Sequence, residues 1–181
     1  MSEMTGQIRE KTEKAERILV GIGEKFGFTK EPETVRQAYE ALAALLKGKD
    51  YFVITLSEDD GILEAGLAQE RIVRPLAAEE AEGNAAEGKT GQRPSMWPAY
   101  MDWLQGTLHR KLLVLELGVG LTHPNLIRFP FEKAVFYNQK AELIRVHAAL
   151  SQLPAELNGR GISIAMYAAA LLAGSGDKAE G

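Results

Sequence analysis

Short, uniformly aliphatic runs alternate with longer segments in which apolar residues recur every three or four positions. A continuous apolar run is typical of a strand buried on both faces, whereas the longer spacing is typical of a helix with one buried face. Strands are predicted at 17–23, 51–55, 71–75, 111–120, 142–147 and 161–166. Helices are predicted at 2–16, 32–48, 61–67, 97–108, 131–137, 153–157 and 167–172.

Two of the predicted helices have a well-defined apolar face. The helix that begins near Pro32 has one face made of Val35, Ala38, Tyr39, Leu42, Leu45 and Leu46. In the 97–108 helix the expected buried side consists of Trp97, Tyr100, Met101, Leu104 and Leu108. Aromatic residues at helical spacing beside leucines favour core packing over a stacking platform for a ligand.

Strands that alternate with helices in this way predict a parallel sheet with crossover helices. The predicted fold class is therefore α/β, a Rossmann-like parallel sheet with helices on both faces. We expect a single domain over residues 1–181, in which the Ala-, Glu- and Gly-rich stretch 77–93 is an exposed loop.

Composition excludes several classes of function. A net charge of −4, with basic and acidic residues interleaved, argues against a nucleic-acid-binding surface. The absence of cysteine excludes disulfides, thiol nucleophiles and thiolate metal sites, and it suits a reducing cytoplasm. The three histidines match no short metal-ligand spacing, so no metal site is predicted. We see no signal peptide and no apolar run of the roughly 20 residues that a membrane span needs.

Four features fall at the carboxyl ends of predicted strands, where a parallel α/β sheet forms its ligand crevice. They are Gly21-Ile-Gly23, the acidic stretch Ser57–Asp60, Gly118-Val-Gly120 and His147. Glycine turns at strand ends can let the backbone approach a pyrophosphate. They serve equally well for close packing of a helix on a strand. Glu24 places a carboxylate where phosphate oxygens would bind, so a local capping or ion-pair role is at least as well supported.

The acidic stretch also has two interpretations. A carboxylate there can bind ribose hydroxyls or act as a general base. Serine and aspartate at a first helical turn also satisfy free amide hydrogens, which is helix capping. Arg128, shortly after the second glycine turn, can meet a phosphate or a carboxylate. An ion pair with Glu24, Asp59 or Asp60 is the default expectation.

In this order the motifs resemble those of the sirtuin family, the NAD-dependent protein deacylases and ADP-ribosyltransferases, over roughly residues 15–165. Val20-Gly-Ile-Gly23 is similar to the family's strand and Gly-Ala-Gly turn. Thr55-Leu-Ser-Glu-Asp59, followed by Ala65-Gly66, keeps the spacing of its Thr-x-Asn-x-Asp and Ala-Gly motifs. Gly118-Val-Gly120 is similar to its Gly-Thr-Ser strand end. His147 stands where the family has an asparagine near the adenine ribose.

The resemblance implies a nucleotide ligand, NAD or ADP-ribose, and a protein substrate or partner. The candidate catalytic residues are Asp59 and Ser57. The candidate cofactor-binding residues are Gly21, Ile22, Gly23, Glu24, Thr55, Ser57, Asp59, Gly118, Val119, Gly120, Arg128 and His147.

Several departures separate this chain from an active sirtuin. Ser57 replaces the asparagine that lies near the nicotinamide ribose. The catalytic histidine has no counterpart in Arg74-Pro-Leu-Ala-Ala-Glu79, and neither has the glutamine of the macrodomain-linked branch. The four zinc cysteines are missing, and only about ten residues separate Gly23 from Glu33, where the family has a cofactor-covering loop. The chain is most similar to short bacterial sirtuin-like members that lack an intact catalytic core.

Three functional hypotheses follow. The first is a degenerate sirtuin-like domain that binds NAD, ADP-ribose or a related nucleotide without ordinary deacylase chemistry. The second is a divergent active enzyme, a transferase of the NAD-dependent ADP-ribosyltransferase or deacylase type, with Asp59 central. The third is a protein-interaction module in which the glycine turns only pack.

Overall fold

The structure is a computed structural model that describes residues 3–28, 30–77, 95–157 and 159–174. Six parallel strands form one sheet in the order β3-β2-β1-β4-β5-β6. The strands are β1 (Arg17–Ile22), β2 (Asp50–Thr55), β3 (Ile72–Val73), β4 (Leu112–Leu117), β5 (Glu142–Val146) and β6 (Gly161–Ile164). The predicted parallel α/β fold is therefore confirmed.

Six α-helices and two short 3₁₀ helices can be given bounds within the described residues. The α-helices are α1 (Glu3–Lys14), α2 (Pro32–Leu46), α3 (Gly61–Glu64), α4 (Trp97–Gln105), α5 (Arg128–Tyr137) and α6 (Ala168–Leu172). The 3₁₀ helices are Gln69–Arg71 and Ala155–Leu157. The prediction of an exposed loop at 77–93 concerns residues that, after residue 77, lie outside the described part of the chain.

Helices cover both faces of the sheet, as expected. On one face α1, α2 and α6 contribute Ile8, Leu42 and Leu171 to a core that also contains alternate strand residues. On the other face α4 and α5 contribute a second core, which includes Tyr100 and Phe131. Because β1 and β4 are buried from both sides, their apolar runs are continuous rather than alternating.

The expected buried side of α4 is partly wrong. Tyr100 and Trp103 are buried, and their rings lie 5.7 and 5.3 Å from that of Phe52. The Trp103 indole N–H donates to the Asp50 carboxylate at 2.8 Å, which favours this rotation of the helix. Apolar residues surround most of α4, so spacing alone did not define its buried side. The members of the expected face that are exposed instead are Trp97 (38%), Met101 (37%) and Leu108 (49%).

Strand order reverses between β1 and β4, the two central strands. The chain runs from β1 towards β2 and β3, and from β4 towards β5 and β6. In open α/β sheets the crevice at such a reversal is the usual ligand site. The segments that follow the two strands, here named the β1 loop (23–28) and the β4 loop (118–127), therefore define the candidate site.

Candidate functional site

The two glycine turns pack against each other. A Cβ atom on Gly23 would lie 2.3 Å from the Val119 Cα atom, and one on Gly118 would lie 2.4 Å from the Phe26 nitrogen. Gly118 also has a φ of +66°, which strains any residue with a side chain. The Lys25 N–H donates to the Gly118 carbonyl at 3.0 Å. These glycines therefore allow the two loops to pack closely, as the close-packing interpretation expects.

Gly21 has a separate packing role. A Cβ atom there would lie 2.5 Å from Ile127 Cγ2 and 2.7 Å from the Phe131 ring. The absence of a side chain thus lets α5 lie close to β1. Its neighbour Ile22 is fully buried in the opposite core.

Glu24 binds the β4 loop through its carboxylate. Oε1 accepts a hydrogen bond from the Thr122 hydroxyl at 3.0 Å, and a Cβ atom on Gly120 would lie only 2.1 Å from Oε1. Burial opposes ionisation of Glu24, but the Thr122 hydroxyl and the nearby backbone N–H groups of Glu24, Gly120 and Thr122 hold its pKa below the ordinary value.

His147, directly after β5, is held in one orientation by the backbone. Its Nδ1 atom accepts from the N–H groups of Ala149 at 3.0 Å and Leu150 at 2.9 Å. Nδ1 is therefore unprotonated, and the proton of the neutral ring is on Nε2. Burial lowers the pKa of His147, with a further contribution from Arg128, while the nearby Glu24 carboxylate opposes the shift.

Two buried polar atoms in this region have no hydrogen-bond partner. Within the described residues, Glu24 Oε2 and His147 Nε2 are the buried side-chain atoms that lack one. One is an acceptor and the other a donor. Buried polar groups in folded proteins nearly always have partners, so an unpaired set at the strand reversal points to a bound water or ligand group.

A cavity of about 150 Å³ lies beside His147. Its walls are largely apolar, and its lining comprises Lys25, Phe28, Gly118, His147, Ala148, Ala149, Met166, Tyr167 and Ala168. Sites for drug-sized ligands are typically about 300–1,000 Å³. This cavity therefore has room for one ring or a small group, rather than for an entire dinucleotide.

Arg128 connects the loops around the cavity. It is 7% exposed, and it donates to the carbonyls of Val119 at 3.0 Å and Leu150 at 2.9 Å. Both of these hydrogen bonds go to the backbone, and the expected ion pair with Glu24, Asp59 or Asp60 is not found among the salt bridges of the described residues. Burial lowers the pKa of Arg128, and the neighbouring Arg145 adds to the effect.

The acidic stretch after β2 forms a hydrogen-bonded turn. Asp59 Oδ1 accepts from the Gly61 N–H at 2.9 Å at the start of α3, and Oδ2 accepts from the hydroxyls of Tyr39 at 3.3 Å and Ser57. Thr55 Oγ1 accepts from the Ser57 N–H at 3.0 Å. Burial and the Asp59 carboxylate raise the pKa of Tyr39 to about 12. Asp59 thus satisfies one amide at the start of α3, whereas the N-cap residue Asp60 makes no side-chain capping hydrogen bond, so the capping interpretation holds only in part.

The acidic turn is linked to the strand reversal indirectly. The Tyr39 ring lies 5.0 Å from that of Phe26 in the β1 loop, and the Leu56 N–H donates to the Ile22 carbonyl at 2.9 Å. The candidate residues thus form two groups. One joins the β1 loop, the β4 loop, Arg128 and His147, and the other comprises Thr55, Ser57 and Asp59.

A buried charged network below the site was not identified from the sequence. Arg145 on β5 donates to both carboxylate oxygens of Glu116 on β4, at 2.5 and 3.1 Å, and to Glu132 at 2.7 Å. It also donates to the Gln152 carbonyl at 2.7 Å, in the segment that follows His147. Burial raises the pKa of Glu116, and the Arg145 guanidinium opposes that shift. The sequence signal for this network was a charged residue within each of two apolar strands, Glu116 in β4 and Arg145 in β5.

Thr122 and Lys25 are the other site residues that the sequence did not indicate. Nothing in a lone threonine or lysine beside a glycine turn shows that it contacts the opposite loop. Among the described residues there is no group of three or more His, Asp or Glu side chains suited to a metal ion. In the same part of the chain, no helix has the length and apolar character needed to cross a membrane.

Comparison with known proteins gives a match in fold. No protein-family model matches the chain, and no curated protein matches it. Solved Sir2 structures do match over most of both chains. Sir2Tm bound to a propionylated peptide has a TM-score of 0.57 and 12% identity, and the match covers 94% of this chain and 96% of that one.

Two further Sir2 structures are similar to the same extent. Sir2Af2 bound to a myristoylated histone peptide has a TM-score of 0.55 and 13% identity, covering 95% of this chain and 94% of that chain. A Sir2 complex with the inhibitor EX-527, 2'-O-acetyl-ADP-ribose and deacetylated p53 peptide has a TM-score of 0.55 and 11% identity, with 92% and 95% covered. At these identities the likeness concerns the fold, which is sirtuin-like.

Proposed function

We propose that this protein is a sirtuin-like domain that binds a nucleotide of the NAD or ADP-ribose class at the carboxyl edge of its sheet, without ordinary deacylase chemistry. The observation that carries the proposal is the buried, unpaired Nε2–H group of His147 beside a cavity at the strand reversal. Ribose hydroxyls and heterocyclic nitrogens are acceptors for such a donor. The sirtuin-like fold supports the ligand class, since one similar Sir2 structure holds 2'-O-acetyl-ADP-ribose.

The residues suit the nucleoside part of such a ligand better than its pyrophosphate. The apolar cavity beside His147 suits a nucleoside ring, and Phe28 and Tyr167 offer aromatic surface. A pyrophosphate does not fit the N–H groups of Gly120 and Thr122, because the Glu24 carboxylate already lies against this loop and accepts from the Thr122 hydroxyl. These residues therefore do not support chemistry on a bound NAD.

The chain's own residues support binding over catalysis. Asp59 is the retained acid of the sirtuin-like motif, but both of its oxygens accept hydrogen bonds within the turn and from Tyr39. Arg74, near the position expected for a catalytic histidine, donates to the carbonyls of Glu58 and Asp59. The hydrogen bonds of Asp59 and Arg74 order the turn, and neither side chain is left to accept a proton from a substrate. A general base within hydrogen-bond reach of its substrate is a requirement of the chemistry.

Isothermal titration of the full chain with ADP-ribose and with adenosine tests binding. We expect heat with both ligands, and we expect His147→Phe to reduce both affinities by on the order of tenfold, because a hydrogen bond to a buried donor is lost. His109→Asn removes an exposed imidazole that precedes β4, at the opposite edge of the sheet, and this variant should bind as the unchanged chain does. If neither ligand produces heat, the proposal is refuted and the protein-interaction hypothesis remains.

A separate assay tests for chemistry. The protein is incubated with NAD, and free nicotinamide is measured by chromatography. We expect no release above the protein-free control. Release that is abolished by Asp59→Asn would instead establish the divergent-enzyme hypothesis, whereas release that persists in that variant would exclude Asp59 as its essential residue.

A further inference from the structure

We infer that Glu24 is a built-in anion that lies against the amide groups of the β4 loop, so that the site recognises the nucleoside half of a ligand and gains no affinity from a pyrophosphate. The inference rests on the proposed function and specifies which part of the ligand class the site recognises. Glu24 is thus a specificity-determining residue.

The β4 loop has the form of an anion-binding site. Backbone N–H groups that converge in a turn bind anions, and Gly120 and Thr122 contribute two such groups together with the Thr122 hydroxyl. Glu24 Oε1 approaches so closely that a Cβ atom on Gly120 would lie 2.1 Å away. The loop therefore has the donors that a phosphate would use, and a carboxylate from the same chain lies against them and accepts from the Thr122 hydroxyl.

The nearby cations Lys25 and Arg128 already make contacts within the protein. The Lys25 ammonium lies 3.9 Å from the centroid of the Phe28 ring, and the Arg128 guanidinium donates to the carbonyls of Val119 and Leu150. A pyrophosphate in the loop would have to displace the Glu24 carboxylate or lie beside it. Two like charges in contact repel one another, more strongly in a partly buried site than in water.

The remaining unpaired atoms suit an uncharged ligand group. Glu24 Oε2 is an acceptor and the neutral His147 ring offers a donor, and both are buried. A hydroxyl group donates to the first kind of atom and accepts from the second. The oxygens of a dinucleotide's pyrophosphate bridge carry no proton at neutral pH, so they cannot donate to Oε2. Glu24 Oε2 therefore favours a hydroxyl-bearing group over such a phosphate.

The test compares adenosine, ADP-ribose and sodium pyrophosphate as ligands of the unchanged chain and of Glu24→Ala. For the unchanged chain we expect adenosine and ADP-ribose to bind with affinities equal within about threefold, and pyrophosphate not to compete with adenosine. In Glu24→Ala the loop amides become free. The affinity for ADP-ribose should then rise by on the order of tenfold, with a stronger dependence on salt, and pyrophosphate should bind.

Glu31→Ala is the matched control, since it removes the same charge from an exposed position just after the β1 loop. It should change the preference between ligands by less than about twofold, because an exposed charge is screened. Glu24→Gln keeps the size of the side chain and removes its charge, so it provides a second variant if Glu24→Ala does not fold. Its preference should also move towards ADP-ribose.

The outcomes separate the inference from the proposed function. If the unchanged chain binds ADP-ribose on the order of tenfold more tightly than adenosine, the inference is overturned while nucleotide binding stands. The inference is also overturned if the variants keep the original preference. If neither the unchanged chain nor any variant binds adenosine or ADP-ribose, the proposed function itself fails.

Discussion

Replacement of Arg145 by methionine tests how far the site depends on the charged network beneath it. Arg145 is 1% exposed, and Glu116 is fully buried beside it. Methionine has a similar length and no charge, so the change removes the hydrogen bonds to Glu116, Glu132 and the Gln152 carbonyl with little change in packing. Glu116 would then remain as a buried carboxylate without its partner.

The size of the effect follows from that unpaired charge. Removing one member of a buried ion pair costs about 3–5 kcal/mol in the free energy of unfolding. For a chain of this length each kcal/mol lowers the melting temperature by about 2–4 °C, so a loss of roughly 6–20 °C is expected. Glu132, which is partly exposed, can turn towards water and adds little.

The assay is thermal unfolding followed by circular dichroism at pH 5 and pH 8, for Arg145→Met and for the double variant with Glu116→Leu. Burial raises the folded-state pKa of Glu116 above its unfolded value. Its ionised form therefore destabilises the fold progressively as the pH rises above the ordinary carboxyl range, so the deficit of Arg145→Met should be larger at pH 8.

The double variant replaces the pair with apolar side chains and should recover most of the lost stability, because such replacements are often neutral or stabilising. A loss below about 1 kcal/mol in Arg145→Met would refute the reasoning. A double variant as unstable as the single one would do the same, since the unpaired carboxylate would not be the cause.

Three further predictions concern single positions. Gly23→Ala places its Cβ against the backbone of the β4 loop and should prevent folding at 37 °C. Gly120→Ala displaces only a flexible carboxylate and should cost about 1–3 kcal/mol in a denaturant melt, so equal effects would contradict this difference. His147 has a lowered folded-state pKa, so its contribution to stability is complete above pH ~6.5 and is lost as the pH falls below that value. A His147→Phe chain should lack that decline, and an unchanged decline would assign it to other groups. Trp103→Ala should cost about 3–5 kcal/mol and Trp97→Ala under about 1 kcal/mol, because only the first indole is buried; the reverse order in urea unfolding would disprove the observed rotation of α4.

The fold was predictable because its signals are local and repeated. Continuous aliphatic runs such as Leu112–Leu115 identify strands buried on both faces, and the intervening periodic segments identify crossover helices. The buried side of α4 was less predictable, since residues on most of its circumference are apolar. The contact between Trp103 and Asp50, 53 residues apart in the chain, decided it.

The site was predictable in position but less so in its contacts. Strand ends place Gly23, Gly118 and His147 at one edge by topology alone. That the Glu24 carboxylate would lie against Gly120 and accept from the Thr122 hydroxyl depends on how two loops, almost 100 residues apart, pack together. Periodicity in a single sequence contains no information on such a contact, and the partners of Arg128 were mispredicted for the same reason.

The central proposal, that a nucleotide binds at the strand reversal through His147, is tested most directly by nuclear magnetic resonance. The side-chain nitrogen signals of His147 are followed in the ¹⁵N-labelled full chain as ADP-ribose is added. We predict that the Nε2 signal shifts to a saturable end point while Nδ1, which already accepts two backbone hydrogen bonds, changes little. If both nitrogen signals stay in place at ligand concentrations that saturate the calorimetric titration, the ligand binds elsewhere and the proposal is contradicted.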